Sequence, residues 1–360
     1  MNILDKYFLK LLAVYSISSI TILTLVFTFF KFLEEMRDIG IGNYGFNEAL
    51  IHIILTIPSV SYSVMVLGIL LGSIFTIGQL NTNKELQIFH TGGLSPKKIL
   101  FKTIQFSFLM CFALLLFSEL FAPATLKLAD KIKNNAIGKI APNNLQKNLW
   151  VKNDNKYILL NQSKSKKTSS SVRLFTFSDN TILSRYEYAE NAEIDENKVR
   201  YKDHKAYRTF LNNDILSISR DENINKEKII FLDGTQMKVL DTNLKTLDLI
   251  ELSQISLSLH KNKLNYKDQF LEIASRLTKP FILLGMILIA LPFVFNLDRN
   301  ISIAKRIFIG ATIGIFTHML VRLFTVLSLE LDALTLVGPI VPILLLLILG
   351  IGLLKFKRII

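Results

Sequence analysis

Residues 11–30 read LLAVYSISSITILTLVFTFF, twenty residues without a charge, with Lys6 and Lys10 before them and Lys31 directly after. A helix of about 20 apolar residues crosses the roughly 30 Å hydrocarbon core of a bilayer while satisfying its own backbone hydrogen bonds. This stretch therefore predicts a transmembrane helix. It is long and has no small-residue cleavage site, so the expectation is a retained anchor.

The same signature recurs toward both ends of the chain. Residues 49–80 carry no Lys, Arg, Asp or Glu and contain Pro58, Gly68, Gly72 and Gly78. No polar turn interrupts them, so they predict one long, tilted or kinked span. Gly68 and Gly72 form a small-xxx-small pair suited to close helix packing. Residues 103–122 make a third span with Glu119 near its end. Residues 280–297, 307–329 (with His318 and Arg322) and 333–354 make three more. The expectation is six transmembrane helices in a three-plus-three arrangement.

Half of the 360 residues are apolar, yet the chain carries 42 Lys and Arg against 29 Asp and Glu, a formal charge of +13. In a soluble protein that balance would suggest nucleic acid. Here the cations flank apolar runs, so no nucleic-acid partner is expected. Twelve Lys and Arg fall in the N-terminus, residues 81–102, residues 298–306 and the tail. The opposite short loops hold only Lys31 and Arg37. Positive residues accumulate on the cytoplasmic side, so both termini are expected there.

Between the two apolar ends lies a hydrophilic block, residues 124–279, expected on the extracytoplasmic side. It opens with a helical pattern over 124–140. Short runs rich in Ile, Leu, Val, Phe and Tyr follow, KYILL, VRLFTFS, ILSRYEYA, KAYRTFL, DILSISR and EKIIFL, separated by Asn, Asp, Ser and Gly. Alternation of apolar and polar residues is the mark of half-buried antiparallel strands. Seven or eight such strands predict a sandwich or jelly roll. Residues 261–279 read as a helix returning to the membrane. The organisation is thus 1–123, 124–279 and 280–360.

No phosphate-binding Gly-rich loop, H-E-x-x-H or G-x-S-x-G is present. The one cysteine, Cys111, lies in an apolar run, and the five histidines are dispersed. No catalytic residue, cofactor or metal ligand is expected, and energy for any work must come from a partner or an ion gradient. On the residues alone an export subunit served by a separate ATPase, a membrane-anchored envelope enzyme and a scaffold all stay open. Six spans argue against the four-span kind of ATPase-linked export subunit.

The segments LDKYFLK, KFLEEMRDIG after the first span, KELQIFHTGGLS between spans two and three, APATLKLADKIKNNA after span three and LWVKNDNKYILL entering the strands occur in a telling order. In that order the chain resembles the YjgP/YjgQ (LptF/LptG) permease family of the lipopolysaccharide-export ABC transporter, on the LptG side, over essentially its whole length. The resemblance implies six spans and a periplasmic β-jelly roll. It implies an LptF-like permease partner, two LptB-like ATPase subunits that bind the ATP and Mg²⁺, an LptC/LptA-like periplasmic bridge, and lipopolysaccharide as cargo. The paralogous LptF subunit is the alternative within the family.

Candidate site residues follow from both readings. Residues 81–89 read as a short amphipathic helix in which Leu86, Ile88 and Phe89 face a partner. Gly92 and Gly93 end it, and Ser95-Pro96 starts the next helix with a cap and a proline in the first turn. The resemblance makes this segment the ATPase-coupling helix, with Glu85, Leu86, Phe89 and Gly93 as its residues. Lys31 and Arg37 lie where cations are scarce and offer ionic hydrogen bonds to lipid phosphates. The resemblance assigns such residues to lipopolysaccharide, although Asp38 stands where a further base is usual. Arg322, inside a span, is expected to face a cavity, cargo or an ion-pair partner, for which Glu119 is the candidate. Phe175, Phe177, Tyr186 and Tyr188 are expected to pack the sheet, with an acyl-chain path as the second reading.

Overall fold

The computed structural model of the chain describes residues 3–92, 95–137, 148–153, 156–162, 170–178, 182–195, 198–201, 204–212, 215–221, 228–231, 244–261, 265–295, 303–331, 335 and 337–356. The chain divides into two compact units, residues 1–137 with 270–360, and residues 138–269.

The first unit is helical. It contains α1 (Ile3–Glu35), a 3-10 turn (Met36–Asp38), α2 (Phe46–Thr82), α3 (Glu85–Thr91) and α4 (Pro96–Ala136). Its later helices are α6 (Lys267–Phe295), α7 (Ile303–Glu330) and α8 (Val341–Phe356). Five helices among the described residues are long and apolar enough to cross a membrane: α1, α2, α4, α6 and α7. The sixth expected span is shorter. It begins at Val341 and runs 16 residues, about 24 Å of helix. Pro339 offers no backbone donor and disfavours helix at the residue before it, so turns occupy residues 337–340.

Two expected boundaries move. The helix read at 124–140 is not separate, because α4 continues from Pro96 through Pro123 to Ala136. Likewise the returning helix and the fourth span are one element, α6. At the start of α4 the Ser95 hydroxyl accepts from the Lys98 N–H at 3.4 Å and Pro96 takes the first turn. That is the cap the sequence called for.

Apolar helices have little to gain from expelling lipid, so close contact depends on small residues. A Cβ at Gly68 would lie 2.5 Å from Ile20 Cγ1, and one at Gly72 would lie 2.4 Å from the Ser16 Cα. The two glycines therefore set the approach of α1 to α2. Behind them Ile69, Ile74, Leu115, Leu283, Ile287 and Leu346 form a common apolar core of α2, α4, α6 and α8.

The second unit holds an antiparallel sheet of β1 (Asn148–Asn153), β2 (Lys156–Gln162), β3 (Ser170–Ser178), β4 (Ile182–Asp195), β5 (Lys198–Tyr201), β6 (His204–Asn212), β7 (Ile215–Asp221) and β8 (Lys228–Phe231). It also holds the helix α5 (Leu249–Lys261). The strand order is β1-β2-β3-β4-β5-β8, with β6 pairing β4 and β7. The six apolar runs fall in β2, β3, β4, β6, β7 and β8, while β1 and the four-residue β5 come in addition.

The period of two divides this sheet. Ile158, Val172, Leu174, Ala189, Val199 and Ala206 are buried. Among the alternate residues, Tyr157 opposes Phe175, Phe175 opposes Tyr186, and Tyr186 opposes Tyr207. The Phe175–Tyr186 and Tyr186–Tyr207 ring centroids are 5.1 and 6.1 Å apart. These four half-buried rings form a ladder across β2, β3, β4 and β6. Tyr188 instead lies under the Arg173 guanidinium at 5.6 Å.

Candidate functional site

The chain leaves α2 at Thr82 and reverses through Asn83 and Lys84. Lys84 takes a φ of 60°, a left-handed conformation that costs a side-chain-bearing residue roughly 1 kcal/mol. The turn throws α3 across the end of the bundle that also carries the start of α1. Glu85 is fixed there from two sides. The Tyr7 hydroxyl donates to its Oε2 at 3.0 Å, and the Asn83 amide donates to its Oε1 at 2.9 Å.

The face of α3 differs from the expectation. Leu86 and Phe89 do not look toward a partner but are buried with Phe8, Leu12, Leu80 and Ile99. Phe89 meets the Phe8 ring edge-on at 6.2 Å and stacks with Tyr7 at 6.4 Å. The outward residues are Gln87 and Ile88, the latter 60% exposed. Apolar residues on a short helix do not say which neighbour they meet, and here Tyr7 and Phe8 of α1 supply the wall for Phe89. Gly93 lies outside the described residues.

At the other end of α1 stand Lys31 and Arg37, both exposed. Between them Glu35 is buried and heavily engaged. It accepts from the Tyr44 hydroxyl at 2.7 Å, and Lys133 Nζ of α4 lies 2.6 Å from it. The same ammonium is 2.6 Å from Asp38. His52 of α2 stands between Glu35 at 3.6 Å and Asp130 at 4.0 Å. Burial, and then the Glu35 carboxylate, raise the Tyr44 hydroxyl above its ordinary range. Asp38, which breaks the run of bases expected here, is thus one anchor of a network that ties α1 to α4. Gly42 fits the connecting loop beneath α4. Its φ is +61°, and a Cβ there would lie 2.5 Å from the Ile137 carbonyl oxygen.

Glu119 does not pair with Arg322. Its two carboxylate oxygens lie 3.1 and 3.2 Å from Nη1 of Arg276 on α6, whose Nε also donates to Glu272 at 2.9 Å. Arg322 is exposed on α7. Nearby, Lys279 Nζ sits 3.1 Å from the centroid of the Tyr62 ring. Sequence reasoning missed Arg276 and Lys279 because it started the span at Pro280, where charges cease. Their spacing of three in SRLTKPF was the available signal, since it places both on one helical face.

The chain thus combines membrane-length apolar helices, an antiparallel sheet inserted between them in sequence, and a short helix packed on the end of the bundle. A family model described as "Lipopolysaccharide export system permease LptF/LptG" matches residues 6–355 of this chain. The chain belongs to that family. The lipopolysaccharide export system permease protein LptG of Escherichia coli K12 is 21% identical over 353 residues, 95% of this chain and 94% of that protein. LptG of Haemophilus influenzae is 21% identical over 360 residues, 99% of each chain. The matched residues 6–355 include both apolar ends and the strands between them.

Proposed function

We propose that the chain is the LptG-type, non-catalytic subunit of an ATP-driven lipopolysaccharide exporter. α1, α2, α4, α6, α7 and the shorter α8 make its six spans, both termini are cytoplasmic, and the sheet is a periplasmic jelly roll. It pairs with an LptF-like permease above two LptB-like ATPases, which bind the ATP and Mg²⁺, and delivers lipid to an LptC/LptA-like bridge. The relatives named above carry the LptG name, and the paralogous LptF subunit is the alternative within the family.

The observation that carries this reading is α3. A seven-residue helix held to α1 by Leu86, Phe89 and Glu85, with Ile88 exposed, suits docking in a partner's groove. Its inward residues then transmit a push from the ATPase to α1, α2 and α4. Lys31 and Arg37 supply cations for lipid phosphates at the outer end of α1. Arg322 faces the partner permease or the cargo, because an arginine on an apolar helix is costly in contact with lipid alone. The half-buried Tyr157–Phe175–Tyr186–Tyr207 ladder offers an apolar surface to acyl chains.

The test is co-purification from native membranes with wild type, Glu85→Ala and Ile88→Asp. A nucleotide-binding subunit and a paralogous permease should accompany the wild type, and Ile88→Asp should lose the ATPase. If no ATPase accompanies the wild type in several mild detergents, the exporter reading fails.

A further inference from the structure

A cavity of about 600 Å³ opens between α1, α2 and α7 at the end of the bundle that carries α3. Its wall on α1 is a continuous stripe at intervals of three and four: Tyr7, Lys10, Val14, Ser18 and Ile22 are among its residues. From Tyr7 to Ile22 that stripe covers about 22 Å of helix. Gln79 and Phe75 face it from α2, and Arg306 faces it from the first turn of α7.

Arg306 is the unusual member. It is only 5% exposed, and its Nε has no hydrogen-bond partner. One hydrogen bond to the Thr82 hydroxyl holds the guanidinium. Among the described residues no carboxylate pairs with it. Its seat is built for it: a Cβ on Gly78 would lie 2.7 Å from Nε and 2.8 Å from Cζ. A buried guanidinium without a counter-ion is costly, and a second cation, Lys10, lines the same space. The cavity is also graded along its length. Lys10, Tyr7, Gln79 and Arg306 lie toward the chain end of the bundle, and Val14, Phe75 and Ile22 lie deeper.

We propose that this cavity binds an amphiphile with an anionic phosphate-bearing headgroup. The headgroup is held by Arg306 and Lys10, and the acyl chain lies along the Val14–Ile22 side of α1. The grading selects a lipid over a free anion, since inorganic phosphate would leave the apolar half of the groove unfilled. Occupancy is adjacent to α3, because Tyr7 belongs to the cavity wall and also donates to Glu85. The inference rests on the membrane-spanning reading of the helices, not on the identity of the exported cargo.

The experiment uses the full chain with its co-purifying subunits in nanodiscs, with spin-labelled phosphatidylglycerol or phosphatidylcholine as the probe. Wild type should immobilise phosphatidylglycerol in preference to phosphatidylcholine. Arg306→Gln should weaken that preference on the order of tenfold, the worth of an ionic hydrogen-bond set, and Arg306→Lys should recover part of it. Lys10→Gln, on an exposed residue, should weaken it less and provides the test if Arg306→Gln does not fold. Equal retention of both lipids, or phosphatidylglycerol retention unchanged in both neutral variants, overturns the proposal. Displacement of the lipid by millimolar inorganic phosphate assigns the site to a free anion and also overturns it. Selective retention without any co-purifying ATPase keeps this site and sinks the exporter reading alone.

Discussion

Arg276 on α6 and Glu119 on α4 form a two-oxygen ion pair, with Nη1 at 3.1 and 3.2 Å from the carboxylate. The Arg276 side chain is 4% exposed and that of Glu119 is 13% exposed. The pair joins helices on either side of the inserted sheet in sequence. Removing one member of such a buried pair strands the other charge, at about 3–5 kcal/mol. Glu119→Ala should therefore lower the thermal midpoint in detergent markedly. The double variant Glu119→Leu with Arg276→Met should recover most of the loss. A double variant as unstable as the single would show that the pair does not account for the effect.

The two faces of α3 should separate stability from partnership. Phe89→Ala removes a fully buried ring and should cost about 3–5 kcal/mol, read as a lower unfolding midpoint. Ile88→Asp touches no intrachain core, so it should leave that midpoint unchanged while the ATPase no longer co-purifies.

Close approach of α1 and α2 depends on a missing side chain. With 2.4 Å between a Cβ at Gly72 and the Ser16 Cα, no rotamer change relieves the clash, because the obstacle is backbone. Gly72→Val should push the helices apart and cost about 1–3 kcal/mol or more. Gly352, where a Cβ meets nothing within 4 Å, should accept Ala with no change in midpoint.

Lys133 balances two carboxylates, Glu35 and Asp38. Lys133→Met should destabilise the Glu35 end of α1 by about 2 kcal/mol, the order of a charged hydrogen bond. Limited proteolysis of the loop at residues 39–45 reads this, and cleavage there should become faster.

In the sheet, the Tyr201 hydroxyl donates to buried Glu187 at 2.8 Å. Burial, and then the Glu187 charge, raise its pKa well above the ordinary 10. The fold therefore favours the neutral phenol. The stability this confers is complete below the unfolded value near pH 10 and declines as pH rises beyond it, by up to about 1.4 kcal/mol per unit. Thermal melts followed by strand signal should show that alkaline decline in wild type and a smaller one in Tyr201→Phe.

Much of the architecture was legible because the relevant physics is local. Long apolar runs announced the five membrane-length helices. Ser95-Pro96 announced the start of α4, and alternating apolar residues announced six of the eight strands among the described residues. Gly68 and Gly72 signalled a close helix contact, though not that α1 would fill it. Charge made the fourth span begin too late, at Pro280, because a span rule stops at the first Lys or Arg, whereas the helix already starts at Lys267. In the fold, α6 carries Arg276 and Lys279 because partners from α4 and α2 neutralise or cover them.

By itself, then, the sequence determined which segments leave water, where caps and turns interrupt them, and which strands alternate. Hydrophobic transfer and backbone hydrogen bonding act over a few turns of chain. The tertiary structure alone decided the partners: Glu119 with Arg276, Glu35 and Asp38 with Lys133, Phe89 with Phe8, Gly78 with Arg306. Each joins residues far apart in sequence, and direction and distance in a folded bundle are not properties of local periodicity.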